Sequence, residues 1–200
     1  MVRRVAEALT HTPLMEAFLV STVVVALGEI GDKTQLLALM LAARLRKPVP
    51  IILGIAVATL FNHTLAGLAG AWVRGIVPAN YLRWLLAISF LIVAIWALKP
   101  DKFDDDAPVS YSHLGAFAVT VVAFFLAEIG DKTQIATVML AARFDNLVAV
   151  VAGTTLGMLI ADVPVVLLGK FAAKKIPFKA VRIVAAGLFA VLAVVTLVAN

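Results

Sequence analysis

The stretch EIGDKTQ at residues 29–35 recurs letter for letter at residues 128–134. Each copy lies within an apolar run long enough to be a membrane helix, and so carries two carboxylates and an ammonium into hydrocarbon. A charge at the bilayer centre costs roughly 3 kcal/mol, which makes ionisable residues there functional-site candidates by default. The repetition continues beyond the seven letters: MLAAR at 40–44 returns at 139–143 with the same offset of 99, and 12 of the 16 positions in 29–44 match those in 128–143. A repeat of this period makes each half of the protein one structural unit.

The composition agrees with a lipid environment. Of 200 residues, 63% are hydrophobic and 14% charged, with a mean hydropathy of +1.06, whereas soluble domains carry about 25% charged residues. The net charge of +5 is read as a topology signal, because the basic residues cluster at the ends of apolar runs, and not as a nucleic-acid surface. With no cysteine, disulfides and thiolate metal sites are excluded, so a metal has to be held by oxygen, histidine nitrogen or methionine sulfur. The basic start followed by an apolar run resembles a signal peptide. Glu16 inside that run and its continuity with the first motif favour a retained helix.

Six apolar segments of spanning length are expected, at 14–43, 49–72, 81–98, 114–142, 147–169 and 180–199. Trp72, Tyr81, Trp84, Trp96 and Tyr111 fall near their ends, as an interfacial aromatic belt requires. The first and fourth segments are too long. Thirty residues make a helix of about 45 Å against a core of about 30 Å, so these two must tilt steeply or break, with the motif near the midplane and Gly31 or Gly130 as the place to bend. Discontinuous helices at the midplane of paired repeats are a recurring transporter design.

The expected fold is therefore an all-α integral membrane protein of six transmembrane helices in two inverted repeats, since three spans per repeat reverse the direction of entry. Residues 1–98 form the first repeat, 99–113 an acidic cytoplasmic linker and 114–200 the second. Ten basic residues fall in the first, third and fifth loops (Arg44, Arg46, Lys47, Lys99, Lys102, Lys170, Lys174, Lys175, Lys179, Arg182) and five on the other face (Arg3, Arg4, Arg74, Arg83, Arg143). Both termini are thus expected outside. The linker, with Asp101 and Asp104 to Asp106, reads as a solvated connector.

On a continuous helix Glu29, Asp32 and Lys33 share a face, with Gln35 beside them, while Thr34 points elsewhere unless the chain breaks at Gly31. Glu128, Asp131, Lys132, Thr133 and Gln134 repeat the arrangement. If the two copies meet at the midplane, four carboxylates converge, and hard oxygen ligands in that number suit Ca2+, Mn2+ or Mg2+, with the amide oxygens of Gln35 and Gln134 completing the shell. Against two lysines they leave two negative charges, which one divalent cation neutralises. When it leaves, crowded carboxylates in low dielectric take up about two protons instead. The competing structural reading pairs Glu29 with Lys33 and Glu128 with Lys132 as i,i+4 ion pairs, but strands Asp32 and Asp131. His63 and Asp162 match at the same offset inside apolar runs and are candidate supporting or proton-relay groups, or plain interhelical hydrogen bonds. Gly54 and Ala58, matched by Gly153 and Gly157, are expected to let helices pack closely. Met40 and Met139 offer soft ligands or apolar packing.

Twin E-x-G-D-[KR]-[ST] signatures, one in each half of a small membrane protein, resemble the family of cation:proton exchangers that includes the Golgi GDT proteins of eukaryotes and the bacterial manganese exporter MneA. The resemblance covers both repeats. It implies secondary transport of Mn2+ or Ca2+ against H+, with Glu29, Asp32, Glu128 and Asp131 as the cation site and Lys33, Thr34, Lys132 and Thr133 completing the signatures. The cargo is then Mn2+ or Ca2+ and protons, with no resident cofactor, no enzymatic activity and the lipid bilayer as surroundings. Other readings remain: an exporter of a cationic organic substrate such as a basic amino acid, an intramembrane enzyme using paired carboxylates, or a purely structural membrane protein.

Overall fold

A computed structural model describes residues 13–99, 115–168 and 178–198. Most of the linker expected at 99–113 lies outside the described residues, as do Arg3, Arg4, Lys102, Lys170, Lys174 and Lys175 of the charge count. Every described element is an α-helix: α1 Pro13–Glu29, α2 Lys33–Leu45, α3 Pro48–Ile76, α4 Ala79–Ala97, α5 Ala116–Glu128, α6 Lys132–Arg143, α7 Leu147–Leu168 and α8 Phe178–Val198.

Four of these, α3, α4, α7 and α8, are each long and apolar enough to cross a membrane, and α1 with α2 passes the same test as a pair bent by 70°. The long first segment therefore breaks. So does the fourth, into the short apolar helix α5 and then α6. Both breaks fall on the motif for a local reason. Gly31 and Gly130 have φ of 83° and 73°, a left-handed backbone that side chains with a Cβ resist. No atom lies within 4 Å of where a Cβ on Gly130 would sit, so Gly130→Ala meets strain alone. It should cost about 1–2 kcal/mol of stability, read as a lower unfolding temperature of the detergent-solubilised protein, with Gly130→Asn milder.

The helices pair across the two halves. α1 lies along α7 and α5 along α3, while α3 and α7 also touch each other, and α2 and α6 rest on α7 and α3 respectively. Glycine makes the α1–α7 seam tight: a Cβ at Gly157 would come within 2.6 Å of the Thr22 carbonyl oxygen, and one at Gly153 would strike the Phe18 carbonyl. Gly54 is held as closely against Thr120 of α5. The expected small-residue contacts thus place α1 and α5, with their terminal glutamates, against the middle of the partner half.

α4 and α8 pack on each other through Phe90 and Phe189, whose ring centroids are 6.4 Å apart. The rest of α4 turns large apolar side chains outward, among them Ile88, Ile92 and Ile95, the surface a lipid-facing helix requires. The pair does not treat the halves alike, for α8 also touches α1 and α4 also touches α6. As a result the end of α6 is covered, with Met139, Leu140, Ala141 and Ala142 all buried, whereas at the matched positions of α2 Met40, Ala42 and Ala43 are half-buried or exposed. Both methionines sit in apolar clusters.

Candidate metal site

The motif makes its own break. Glu29 and Glu128 are the last residues of α1 and α5, and Asp32 and Asp131 are the N-cap residues of α2 and α6. An N-cap aspartate ordinarily spends its carboxylate on the free N–H groups of the first turn, yet neither aspartate makes such a bond. Glutamine instead closes the turn just before each cap. The side-chain oxygen of Gln35 accepts from the Gly31 N–H at 3.0 Å, and that of Gln134 from the Gly130 N–H at 2.8 Å. Gln35 also donates to the Ala161 carbonyl at 3.1 Å, tying the break to α7. The amide oxygens expected to face a cation are thus engaged in closing the turns, while the aspartates face the lysines of the opposite half. Gln35→Ala and Gln134→Ala should each cost about 1 kcal/mol of thermal stability, the usual size of a lost cap.

The two breaks meet. Glu29, Asp32 and Asp131 each bring one carboxylate oxygen within 4.8 Å of the others, and all three are buried. Oxygens on opposite sides of one calcium-sized ion lie about 4.6–5 Å apart, so this spacing fits a single hard cation with little adjustment. Both glutamate oxygens of Glu29 lack a hydrogen-bond partner among the described residues. The lysines reach across the molecule and not along their own helices: Lys132 Nζ lies 2.9 Å from Asp32 Oδ1, and Lys33 Nζ 3.7 Å from Asp131 Oδ1. These cross-half pairs stand where the structural alternative placed Glu29–Lys33 and Glu128–Lys132. Lys132 is 3% exposed and Lys33 34%, so the two matched lysines differ in their access to the surface.

Glu128 is placed differently. Its carboxylate accepts from Thr59 Oγ1 at 2.8 Å and Asn62 Nδ2 at 3.2 Å, with His63 Nε2 at 3.9 Å, and it is not one of the three groups that share the 4.8 Å cluster. Position for position, α7 offers Glu29 only Met158, Ala161 and Asp162. Asp162 is fully buried, both its oxygens lack a hydrogen-bond partner among the described residues, and it repels Glu29 together with Asp32, Asp131 and Glu128. His63 is thus a near neighbour of Glu128, and Asp162, at the matched position of α7, is a further buried carboxyl. Five carboxylates face two ammoniums, one acid more than the four motif carboxylates.

Thr34 is buried, as the break allows, and Thr133 donates to Asp131 Oδ2 at 3.2 Å. Thr59 and Asn62 lie outside the repeated motif. Their signal is a polar i, i+3, i+4 stripe with His63 inside an apolar run, present in one half alone.

The chain matches the family described as divalent cation/proton antiporter GDT1 over residues 17–105 and 116–200. It is 52% identical over 184 residues to a protein of Vibrio cholerae serotype O1 named "Putative manganese exporter", covering 92% of this chain and 91% of that one. A GDT1-like protein of Synechocystis is 30% identical over 207 residues, covering 92% of this chain and 97% of its own. A chloroplastic GDT1-like protein of japonica rice is 30% identical over 202 residues, covering 86% and 58%. No solved structure matches the chain.

Proposed function

The chain belongs to the GDT1 family of divalent cation/proton antiporters, and from that premise we propose that it exports Mn2+ from the cytoplasm in exchange for protons by alternating access. What supports this is one geometric fact: buried oxygens of Glu29 and Asp32 from the first half and Asp131 from the second lie within 4.8 Å of one another. A hard divalent ion fits that donor set. Manganese is chosen over calcium because the relative with 52% identity carries manganese in its name.

In this reading residues 1–98 and 114–200 are two three-span units inserted in opposite senses and joined by the cytoplasmic linker 99–113, with both termini outside the bacterial inner membrane. The broken pairs α1–α2 and α5–α6 each count as one span. In the present conformation Glu29, Asp32 and Asp131 hold the cation, and Lys33 and Lys132 hold the aspartates in register across the halves. Thr59 and Asn62 keep Glu128 aside. α6 is the shut gate, packed under α4 and α8, and α2 is the open one, so the site faces the side on which α2 ends. In the opposite conformation the halves exchange roles, Glu128 joins the aspartates and α2 closes. Protons occupy the carboxylates on the return, because five buried acids against two lysines are too many negative charges to leave in low dielectric.

Proteoliposomes test the reading directly. With the lumen acid relative to the bath, Mn2+ should accumulate against its gradient. Reversing the pH difference should reverse the flux. Two protons per ion make the exchange electroneutral, so clamping the membrane potential should leave the rate unchanged. Accumulation of arginine or lysine in place of Mn2+ would favour the organic-cation alternative, and no flux of either kind would refute transport by this site.

A further inference from the structure

At the end of α6 farthest from the metal site, a cleft of about 430 Å³ opens between the α3–α4 turn, α6 and the end of α8. Three arginines line it: Arg74, Arg83 and Arg143, above an apolar floor that includes Val77, Leu82 and Leu86. Two of them are fixed in place. Arg74 donates to the carbonyls of Ala141 and Phe144 and pairs with Asp145 at 3.2 Å, while Arg143 donates to Thr196 Oγ1 at 2.7 Å and to the Leu192 carbonyl at 3.4 Å. Arg83 is different, being exposed and having no hydrogen-bond or ion-pair partner among the described residues. The acids nearby are Asp145, 98% exposed, and Glu16, which reaches Arg143 electrostatically.

The depth of the cleft in the bilayer follows from its neighbours. Trp72, Tyr81 and Trp84 are 66%, 72% and 54% exposed around the same α3–α4 turn, and exposed aromatics of this kind sit at the level of lipid headgroups. A basic cleft between transmembrane helices at that level, lined by apolar side chains beside the arginines, suits an anionic headgroup. Two guanidiniums held rigid by backbone carbonyls set a positive field, and the unpartnered third has five N–H donors to give a phosphate.

We propose that this cleft binds the phosphate of an anionic phospholipid from the adjoining leaflet, with Arg83 as its principal donor and the acyl chains lying against the apolar outer face of α4. Positive charge at the rim favours a headgroup of net negative charge over a zwitterionic one with the same phosphate. Because Arg74 and Arg143 of the same cleft hold down the end of α6, the lipid would sit directly on the shut gate.

Native mass spectrometry of the full chain, incubated with equal amounts of phosphatidylglycerol and phosphatidylcholine, reads the preference. The wild type should retain phosphatidylglycerol selectively as a single bound copy. Arg83→Gln should weaken that retention roughly tenfold, the worth of one charge-assisted hydrogen bond, while Arg83→Lys keeps the preference. Since Arg83 is exposed and has no partner among the described residues, both variants fold as the wild type does, which elution volume checks. Equal retention of the two lipids overturns the proposal, as does a preference that survives Arg83→Gln. Displacement of the lipid by millimolar inorganic phosphate also overturns it, since a free anion would then be the ligand.

Discussion

Asp131→Asn should abolish Mn2+/H+ exchange in proteoliposomes, lowering the initial rate on the order of 100-fold or more while the protein still elutes as the folded species. The residue contributes one of the three clustered oxygens and also answers Lys33 from the other half. Asparagine keeps the shape and one oxygen but loses the negative charge that a hard divalent ion requires of its ligands. Asp32→Asn should match it, since Asp32 faces Lys132 at 2.9 Å. Glu128→Gln divides the effects. A glutamine oxygen can still accept from Thr59, losing the second bond from Asn62, and Glu128 stands outside the three-carboxylate cluster, so Mn2+ binding in this conformation should be largely retained while turnover, which needs Glu128 in the opposite conformation, fails. Equal loss of binding in Glu29→Gln and Glu128→Gln would contradict the division of labour proposed for the two halves.

Gly157→Val should prevent accumulation of folded protein altogether. A Cβ there already lies 2.6 Å from the Thr22 carbonyl oxygen and 2.9 Å from the Ala26 nitrogen, and backbone cannot step aside as a flexible side chain can. Overpacking in a well-fitted core costs about 1–3 kcal/mol even where side chains give way. Here α1 as a whole must retreat from α7, carrying Glu29 with it. Gly187→Val is the control, because no atom lies within 4 Å of its would-be Cβ and nothing should change. Yield of monodisperse protein after solubilisation measures both. A Gly157→Val protein of normal yield would mean that the α1–α7 seam is looser than these distances state.

Much of this architecture is legible in the residues, and the limits have physical causes. Two identical motifs at a fixed offset, each too charged for lipid and each in a segment too long for one straight span, already require a tilt or a break and point to a meeting of the two copies. The choice between tilt and break turns on the φ of one glycine, which hydropathy does not reveal. Lysine partners could not be read either: on a continuous helix Lys33 faces Glu29, and only after the chain turns at Gly31 does it reach Asp131. Thr59 and Asn62 carry no signal in the repeat, because the matched positions 158 and 161 hold methionine and alanine. For the same reason the unequal cover over α2 and α6 was invisible. Nearly identical sequences can occupy two different environments when the molecule rests in one of two related conformations, and that choice is a property of packing between the halves.

Mn2+ binding to the purified protein, measured by titration calorimetry for the wild type, Glu29→Gln, Asp131→Asn and the double variant, tests most directly whether both halves build one site. One site shared between the halves predicts a stoichiometry of one in the wild type, loss of affinity in each single variant, and a double variant little worse than either, because residues acting on the same ion are not additive. Two ions bound by the wild type, with one lost in each single variant and both in the double, would show two separate sites and contradict the account.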